Sequence, residues 1–312
     1  MLPVRTAAQR GVPPWRLPVA SSRTIRAGGA SIQVDFSEDN VDPPQDELLQ
    51  WIERAAQAVT VYYGRFPVTQ ERIFIELVPG RRGVGGGTTW GGVDGYPAFT
   101  RIHVGQQTTQ QDLESDWMMT HEMVHTAFPS QPDEHHWIEE GLATYVEPIA
   151  RVQAGFLTPA KIWTDMVRDM LQGDPQPGDQ GLDRTHTWGR TYWGGAQFCL
   201  LADVTIRKET QNRKGLQDAL RAIVYAGGTI DTEWPLTKAL QIGDTATGTT
   251  ALMDLYNEMR DTPRTVDLNG LWKELGIEAQ DEGMVRFDDA APFASIRKAI
   301  TRPPEAAKSP GD

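Results

Sequence analysis

Residues 120–125 of the chain read THEMVH, which places two histidines four positions apart and a glutamate directly after the first of them. Residues at positions i and i+4 of an α-helix lie on one face, about one turn apart. His121 and His125 could therefore bind one metal ion, and Glu122, one step round the helix, could reach a water molecule on that ion. One helix must carry both imidazoles, and a third ligand must come from another part of the fold.

A metal site of the catalytic type needs three protein ligands and a position left open for water. The segment WIEEG at residues 137–141 offers carboxylates at the start of a predicted helix, after a loop that allows this helix to fold back. Helical spacing permits either Glu139 or Glu140 as the ligand. Because Cys199 is the one cysteine, a cysteine-rich zinc site is excluded, and the ligands must be His, Asp or Glu.

The two segments together predict a peptidase that contains one Zn²⁺ ion. A simpler interpretation is that the two histidines are hydrogen-bonded residues on a half-buried helix face. The segment WIEEG argues against that interpretation, since it supplies the carboxylate that a catalytic zinc site requires.

The composition narrows the class of protein. Of the 312 residues, 23% are charged and 39% are hydrophobic, which is typical of a soluble globular protein with a large core. The net charge of −12 argues against nucleic acid or an anionic membrane as the main partner. No apolar run is long enough to span a membrane, and the first residues lack the apolar core of a signal peptide. We therefore expect a peptide or protein substrate, while the oligomeric state and the compartment are not predicted.

The spacing of apolar residues predicts a mixed first part and a helical second part. Residues 1–22 are predicted to be a disordered tail, and a helix is predicted after Pro44 as far as Tyr63. Strands are predicted at residues 23–36, with a turn at Gly28 and Gly29, at residues 72–78 and at residues 101–104.

One helix is predicted over residues 110–128, which include both histidines, and a second over residues 137–152. Further helices are predicted at residues 158–171, around 196–204, and at 216–226, 236–240, 249–259 and 268–275, with a strand and a last helix within 284–300. The elements therefore predict a chain that begins as mixed α/β and turns helical after about residue 105.

Residues 80–99 are very rich in glycine. One interpretation is a mobile surface loop. The other is an edge strand whose bare backbone lets a substrate chain approach and pair with it. A phosphate-binding loop fits poorly, because no Gly-Lys-Ser/Thr sequence is present and no helix begins after the glycines.

The pattern His121-Glu122-x-x-His125 followed by Trp137-x-x-Glu140-Gly141 resembles that of the gluzincin zinc metallopeptidases, which are peptidases of the MA-like type. The resemblance is nearest to the glycyl aminopeptidase family. Two further segments, EGLATYVE at 140–147 and TYWGGAQFCLLADVTIRKET at 191–210, resemble segments of that family in the same order. The resemblance covers roughly residues 105–300. It implies a single α+β, thermolysin-like catalytic domain over residues 23–302, followed by a tail at 303–312. The domain has a mixed α/β N-terminal lobe at about 23–128 and an all-helical C-terminal lobe at about 129–302.

The resemblance also implies roles for individual residues. Glu140 matches the third zinc ligand, and Tyr192 matches the tyrosine that stabilises the oxyanion. The expected reaction is zinc-dependent hydrolysis of a peptide bond by a metal-activated water, with Glu122 as the general base. The sequence departs from the family at the G-x-M-E-N motif, whose place is taken by GGGTTWGG. Because the glutamate that binds a free amine has no counterpart, both endopeptidase and aminopeptidase specificity stay open.

Two other functions are compatible with the sequence: a non-catalytic peptide-binding protein of the same fold, and a zinc hydrolase of non-peptide substrates. The intact set of ligands, base and tyrosine disfavours the first of these. His186 and Arg190, which are close to Tyr192 in the sequence, could line the cleft, with Arg190 binding a substrate carboxylate. A structural role for them, in a loop cap or an ion pair, is the alternative.

Overall fold

The computed structural model describes residues 13–39, 42–281 and 283–303. Of the two predicted tails, residues 1–12 and 304–312 lie outside these ranges. Within residues 13–22, Pro14–Arg16 form a short 3-10 helix, and the first strand begins at Ser21. The ring of Trp15 packs edge-on against Trp90 and Phe99, and its carbonyl oxygen accepts a hydrogen bond from Arg72. Trp15 therefore anchors this segment, most of whose other residues are exposed, to the sheet.

A five-stranded sheet forms the first part of the fold, with the strand order β1-β2-β3-β5-β4. Its strands are β1 (Ser21–Ala27), β2 (Ala30–Phe36), β3 (Gln70–Val78), β4 (Val84–Val93) and β5 (Tyr96–Gly105). The three central strands are parallel to one another, and both edge strands are antiparallel to their neighbours. The predicted turn between β1 and β2 is confirmed, with φ angles of 54° and 89° at Gly28 and Gly29.

The glycine-rich segment forms β4, so the edge strand of the second interpretation is confirmed, while its pairing with a substrate chain stays a prediction. β4 pairs with β5 along one side and lies at the edge of the sheet. The strand is only partly buried along its length. Among the described residues, no further strand of this sheet pairs with its outer backbone edge.

The predicted helix between β2 and β3 is α1 (Gln45–Tyr63), which ends at Gly64 in a left-handed conformation. Its apolar face, including Leu48, Ile52 and Val59, is fully buried. α1 packs against the first strand on one side and against the two helices that carry the candidate metal ligands on the other. It thereby connects the sheet to the helical part in one continuous core.

The helix predicted over residues 110–128 is instead two helices, α2 (Gln110–Ser115) and α3 (Met118–His125). The chain is extended at Asp116, with φ −63° and ψ 141°. The Asp116 carboxylate explains the break, because Oδ2 accepts hydrogen bonds from the indole of Trp51 and from the backbone N–H of Met119. That second bond satisfies an N–H group in the first turn of α3.

The rest of the chain is mainly helical, as predicted. Its helices are α4 (His136–Gln153), α5 (Pro159–Asp169), α6 (Gly195–Glu209), α7 (Leu216–Tyr225), α8 (Leu236–Thr247), α9 (Ala251–Met259), α10 (Leu268–Leu275) and α11 (Ala294–Thr301). The predicted start of α5 is confirmed, with Thr158 capping the helix and Pro159 in its first turn. A short hairpin of β6 (Ile277–Glu278) and β7 (Arg286–Phe287) precedes α11.

These elements confirm the predicted fold class, a mixed sheet-containing part followed by a helical part. Cys199 is fully buried in α6, where it packs as a small apolar side chain. Within the described ranges, no helix combines the length and the apolar character needed to cross a membrane.

Candidate metal centre

Three side chains carried by α3 and α4 converge on one point. His121, His125 and Glu140 each offer a ligand atom, and these atoms all lie within 4.8 Å of one another. Nε2 of His121 is 3.1 Å from Oε2 of Glu140, and Nε2 of His125 is 3.7 Å from the same oxygen. The fold therefore brings together the three residues that the sequence predicts to be the metal ligands.

Glu139, the alternative third ligand, is engaged elsewhere. Its Oε1 accepts a hydrogen bond from the backbone N–H of Gln131, 3.2 Å away, and its Oε2 is 3.2 Å from Nδ1 of His136. Helical spacing had left Glu139 and Glu140 equivalent, and in the structure only Glu140 belongs to the group that meets at the two histidines.

The three donors fit a zinc ion. Ligand atoms about 2.0–2.2 Å from a tetrahedral ion lie roughly 3.3–3.6 Å from one another. The two separations between imidazole and carboxylate, 3.1 Å and 3.7 Å, lie on either side of that range. Two imidazole nitrogens and one carboxylate oxygen are also a donor set of catalytic zinc sites, in which a fourth position is left for water or substrate.

The carboxylate of Glu140 is held in its ionised form. Burial raises its pKa, but the imidazoles of His125, His121 and His136 together lower it well below its usual range. An ionised carboxylate is the form that binds a metal ion. The electrostatics of the cluster therefore agree with the geometry.

His136 is a part of this cluster that sequence analysis missed. Its Nε2 lies 3.2 Å from Oε1 of Glu140, the oxygen that does not face His121. Hydrogen bonds to Glu139, which has the larger effect, and to Glu140 raise the pKa of His136 to about 10. His136 precedes Glu140 by one helical turn, so the spacing in the sequence could have revealed the contact. A partner of this kind fixes the orientation of a ligating carboxylate.

Glu122 lies next to His121 on α3 and is buried, with 6% of its surface exposed. Its Oε2 accepts a hydrogen bond from the hydroxyl of Thr89 at 2.7 Å, and this hydroxyl is also 3.2 Å from the backbone oxygen of Glu122. Burial raises the pKa of Glu122, whereas His125 and the hydrogen bond from the Thr89 hydroxyl lower it. The effect of burial is the larger, so the pKa is raised overall. A carboxylate with a raised pKa is better suited to accept a proton in a reaction at neutral pH.

The glycines of β4 allow the strand to pass directly over Glu122. A Cβ atom at Gly87 would lie 2.6 Å from Cγ and Oε1 of the Glu122 side chain. Two residues further along the same face, Thr89 makes the hydrogen bond to Glu122. The edge strand is therefore in contact with the candidate general base, and a side chain at position 87 would displace it.

Tyr192 lies in one turn of π-helix, Arg190–Gly194, which leads into α6. Single turns of this kind occur frequently at functional sites. The Tyr192 ring stacks on the His121 ring with centroids 6.2 Å apart, and on the Trp188 ring with centroids 5.7 Å apart. Burial, followed by the charges of Glu140 and Glu122, raises the pKa of the phenol. Its hydroxyl thus stays protonated at neutral pH and can donate a hydrogen bond.

α4, which carries Glu140, and α6, which follows Tyr192, cross closely at two glycines. A Cβ atom at Gly141 would lie 2.4 Å from the backbone of Gly195, and one at Gly195 would lie 2.2 Å from the carbonyl oxygen of Trp137. Both positions therefore need glycine, because any side chain would separate the two helix backbones. Gly141 and Gly195 therefore have a packing role between the two helices.

Of the two roles that the sequence left open for Arg190, the structure shows the ion pair. Its side chain is 2% exposed, its Nε is 2.8 Å from the carboxylate of Asp179, and its Nη1 donates to the carbonyl oxygen of Gly173. A guanidinium buried in an ion pair has no access to a substrate. His186 is exposed and is not part of the metal-ligand group.

An apolar cleft of about 460 Å³ opens beside His121 and Tyr192. Trp117 and Trp188 stand in its lining with 48% and 59% of their surfaces exposed, which is unusual for so large an apolar side chain. Exposed aromatic side chains next to a metal site are suited to contact an apolar ligand.

The chain matches solved structures of an aminopeptidase N family protein and of an M1 zinc metallopeptidase over most of its length. An aminopeptidase N family protein from Idiomarina loihiensis matches with a TM-score of 0.61 and 11% sequence identity, over 87% of this chain and 53% of that chain. An M1 zinc metallopeptidase from Deinococcus radiodurans matches with a TM-score of 0.50 and 15% identity, over 80% of this chain and 53% of that chain. No protein-family profile and no curated protein sequence matches the chain.

At these sequence identities the matches establish the fold. The chain has a fold similar to that of the M1 zinc metallopeptidases, so the resemblance to gluzincin peptidases that the sequence indicated is confirmed at this level. The chain spans about half the length of the solved structures that it matches.

Proposed function

We propose that this protein is a zinc-dependent peptidase. The proposal depends on one observation, the convergence of the imidazoles of His121 and His125 and the carboxylate of Glu140, with Glu122 adjacent on the same helix. The matched structures support it, because they are zinc metallopeptidases of the same fold.

His121, His125 and Glu140 would hold the ion. Zinc bound there would supply a Lewis acid that lowers the pKa of a water molecule and polarises a carbonyl group. Glu122 accepts the proton of the attacking water and later donates it to the leaving amine. The phenol of Tyr192 donates a hydrogen bond to the oxygen on which negative charge develops.

The substrate in this proposal is a peptide that lies along the outer edge of β4. Its backbone pairs with the strand, and one of its side chains enters the apolar cleft beside Trp188 and Tyr192. β4 carries no acidic side chain that could bind a free amine. We therefore propose that peptides with a blocked N-terminus are substrates.

The test is a panel of fluorogenic peptides with free and with acetylated N-termini, incubated with the zinc-loaded protein and with protein treated with a chelator. We expect zinc-dependent cleavage that includes the acetylated peptides. Cleavage restricted to free-amine peptides would overturn the substrate preference alone. An absence of zinc-dependent cleavage across the panel would contradict the proposed function.

Tyr192→Phe should lower kcat by about 10²-fold, with a much smaller change in KM. The phenol acts on charge that is present in the transition state, whereas the ring, which stacks on His121 and Trp188, is kept in the variant. Steady-state kinetics on the best peptide of the panel measure both constants. If kcat/KM fell by the same factor only because KM rose, Tyr192 would contribute to substrate binding and not to the transition state.

A further inference from the structure

A chain of hydrogen-bonded oxygen atoms runs from Glu122 to a carboxyl group inside the sheet. Oε2 of Glu122 is 2.7 Å from the hydroxyl of Thr89, which is 2.9 Å from the hydroxyl of Thr100 on β5. The Thr100 hydroxyl is 2.8 Å from Oε1 of Glu71 on β3. This series of hydrogen bonds thus crosses β4, β5 and β3 and ends at the side chain of Glu71, which is 0% exposed.

These three contacts need three protons, one for each pair of oxygen atoms. The two threonine hydroxyls supply one proton each. The third proton must therefore belong to one of the two carboxyl groups. If both carboxylates were ionised, one of the three oxygen pairs would be in contact without a hydrogen bond between them.

The surroundings of Glu71 favour a neutral acid at this end of the chain. Its neighbours in the sheet register are the apolar residues Ile32 and Ala98. Its Oε2 is buried and has no hydrogen-bond partner among the described residues. The pKa of Glu71 is raised to about 7, mainly because the side chain is buried. The charge of Glu122 on α3 also raises this pKa, and the hydrogen bond with Thr100 opposes the rise.

We propose that Glu71 is a positioning residue for Glu122. As a neutral acid Glu71 donates to Thr100, Thr100 donates to Thr89, and Thr89 donates to Oε2 of Glu122. This direction fixes the Glu122 carboxylate and leaves its Oε1 free to accept a proton, and in this respect the inference rests on the proposed peptidase function.

Ionisation of Glu71 would reverse the direction of the hydrogen bond between Glu71 and the Thr100 hydroxyl. The Thr100 hydroxyl would then donate to Glu71, and the contact between Thr100 and Thr89 would need the proton of Thr89. Glu122 would lose its hydrogen bond as a result. Activity is therefore coupled to a carboxyl group that touches neither the substrate nor the metal ligands.

The decisive variant is Glu71→Gln, in which the amide N–H₂ donates to Thr100 permanently. We expect kcat/KM below pH 7 to stay within about twofold of the original value. We expect kcat/KM of the original protein to fall above about pH 7 as Glu71 ionises, and we expect this fall to be absent from the variant. Thr100→Val should lower kcat about fivefold, the effect of one lost hydrogen bond, and Thr100→Ser should restore it.

Infrared spectroscopy gives a second readout that does not depend on activity. The difference spectrum between the original protein and Glu71→Gln near pH 6 should contain the carbonyl band of a protonated carboxylic acid. Lack of that band, or an identical alkaline fall in the two proteins, would overturn the role of Glu71. A protein that shows the infrared band but cleaves no peptide would instead contradict the proposed function and leave the hydrogen-bond chain in place.

Discussion

Glu122→Gln should keep its zinc ion while kcat falls on the order of 10³-fold. Glutamine has the shape of glutamate, and its amide oxygen can still accept the hydrogen bond from Thr89. It cannot take a proton from water, so the step that generates the nucleophile is lost. Peptide hydrolysis and zinc content by elemental analysis, measured on the same preparation, check both halves of the expectation.

Glu139→Gln is the matched control for this variant. Glu139 directly precedes the predicted ligand Glu140 in the sequence. Its carboxylate accepts a hydrogen bond from the backbone N–H of Gln131, and the amide oxygen of a glutamine can accept the same bond. We expect activity within about twofold of the original. Unchanged turnover in Glu122→Gln, or loss of its zinc, would show that Glu122 is not the general base.

Glu140→Ala should weaken zinc binding on the order of 10²–10³-fold. Structural zinc sites bind with roughly 10–16 kcal/mol shared among four ligands, so one ligand contributes about 2.5–4 kcal/mol. The variant should be purified with little zinc, and its turnover should be lost together with the metal. Competition against a zinc chelator of known affinity measures the change.

Glu139→Ala controls for the removal of a carboxylate from the same turn of α4. Its contacts are to Gln131 and His136, so its zinc affinity should change far less than that of Glu140→Ala. Equal losses in the two variants would point to a general electrostatic effect of α4. The role of Glu140 as a ligand would then be contradicted.

The sequence predicted the parts of the site that depend on local spacing. The pair of histidines on α3 follows from the helical period, and the family resemblance added Glu140 and Tyr192. The edge strand over residues 84–93 was one of two interpretations, since composition alone does not distinguish a glycine-rich strand from a loop. The break at Asp116 was missed, because it depends on a hydrogen bond from Trp51, which is distant in the sequence.

Contacts between distant residues account for the remaining differences. The sequence left both a cleft role and an ion-pair role open for Arg190, because its partner Asp179 lies in a loop whose course could not be read from spacing. The link from Glu122 through Thr89 and Thr100 to Glu71 depends on the register of three strands. No pattern in one strand reveals such a link, because it forms only when the strands are paired.

The central claim is that two imidazoles and one carboxylate hold a zinc ion beside Glu122. Diffraction from crystals of the zinc-loaded protein, recorded on both sides of the zinc absorption edge, locates that ion directly. We expect one anomalous peak within bonding distance, about 2.0–2.2 Å, of Nε2 of His121, Nε2 of His125 and Oε2 of Glu140. A zinc peak bound elsewhere, with these three side chains free of metal, would contradict the account.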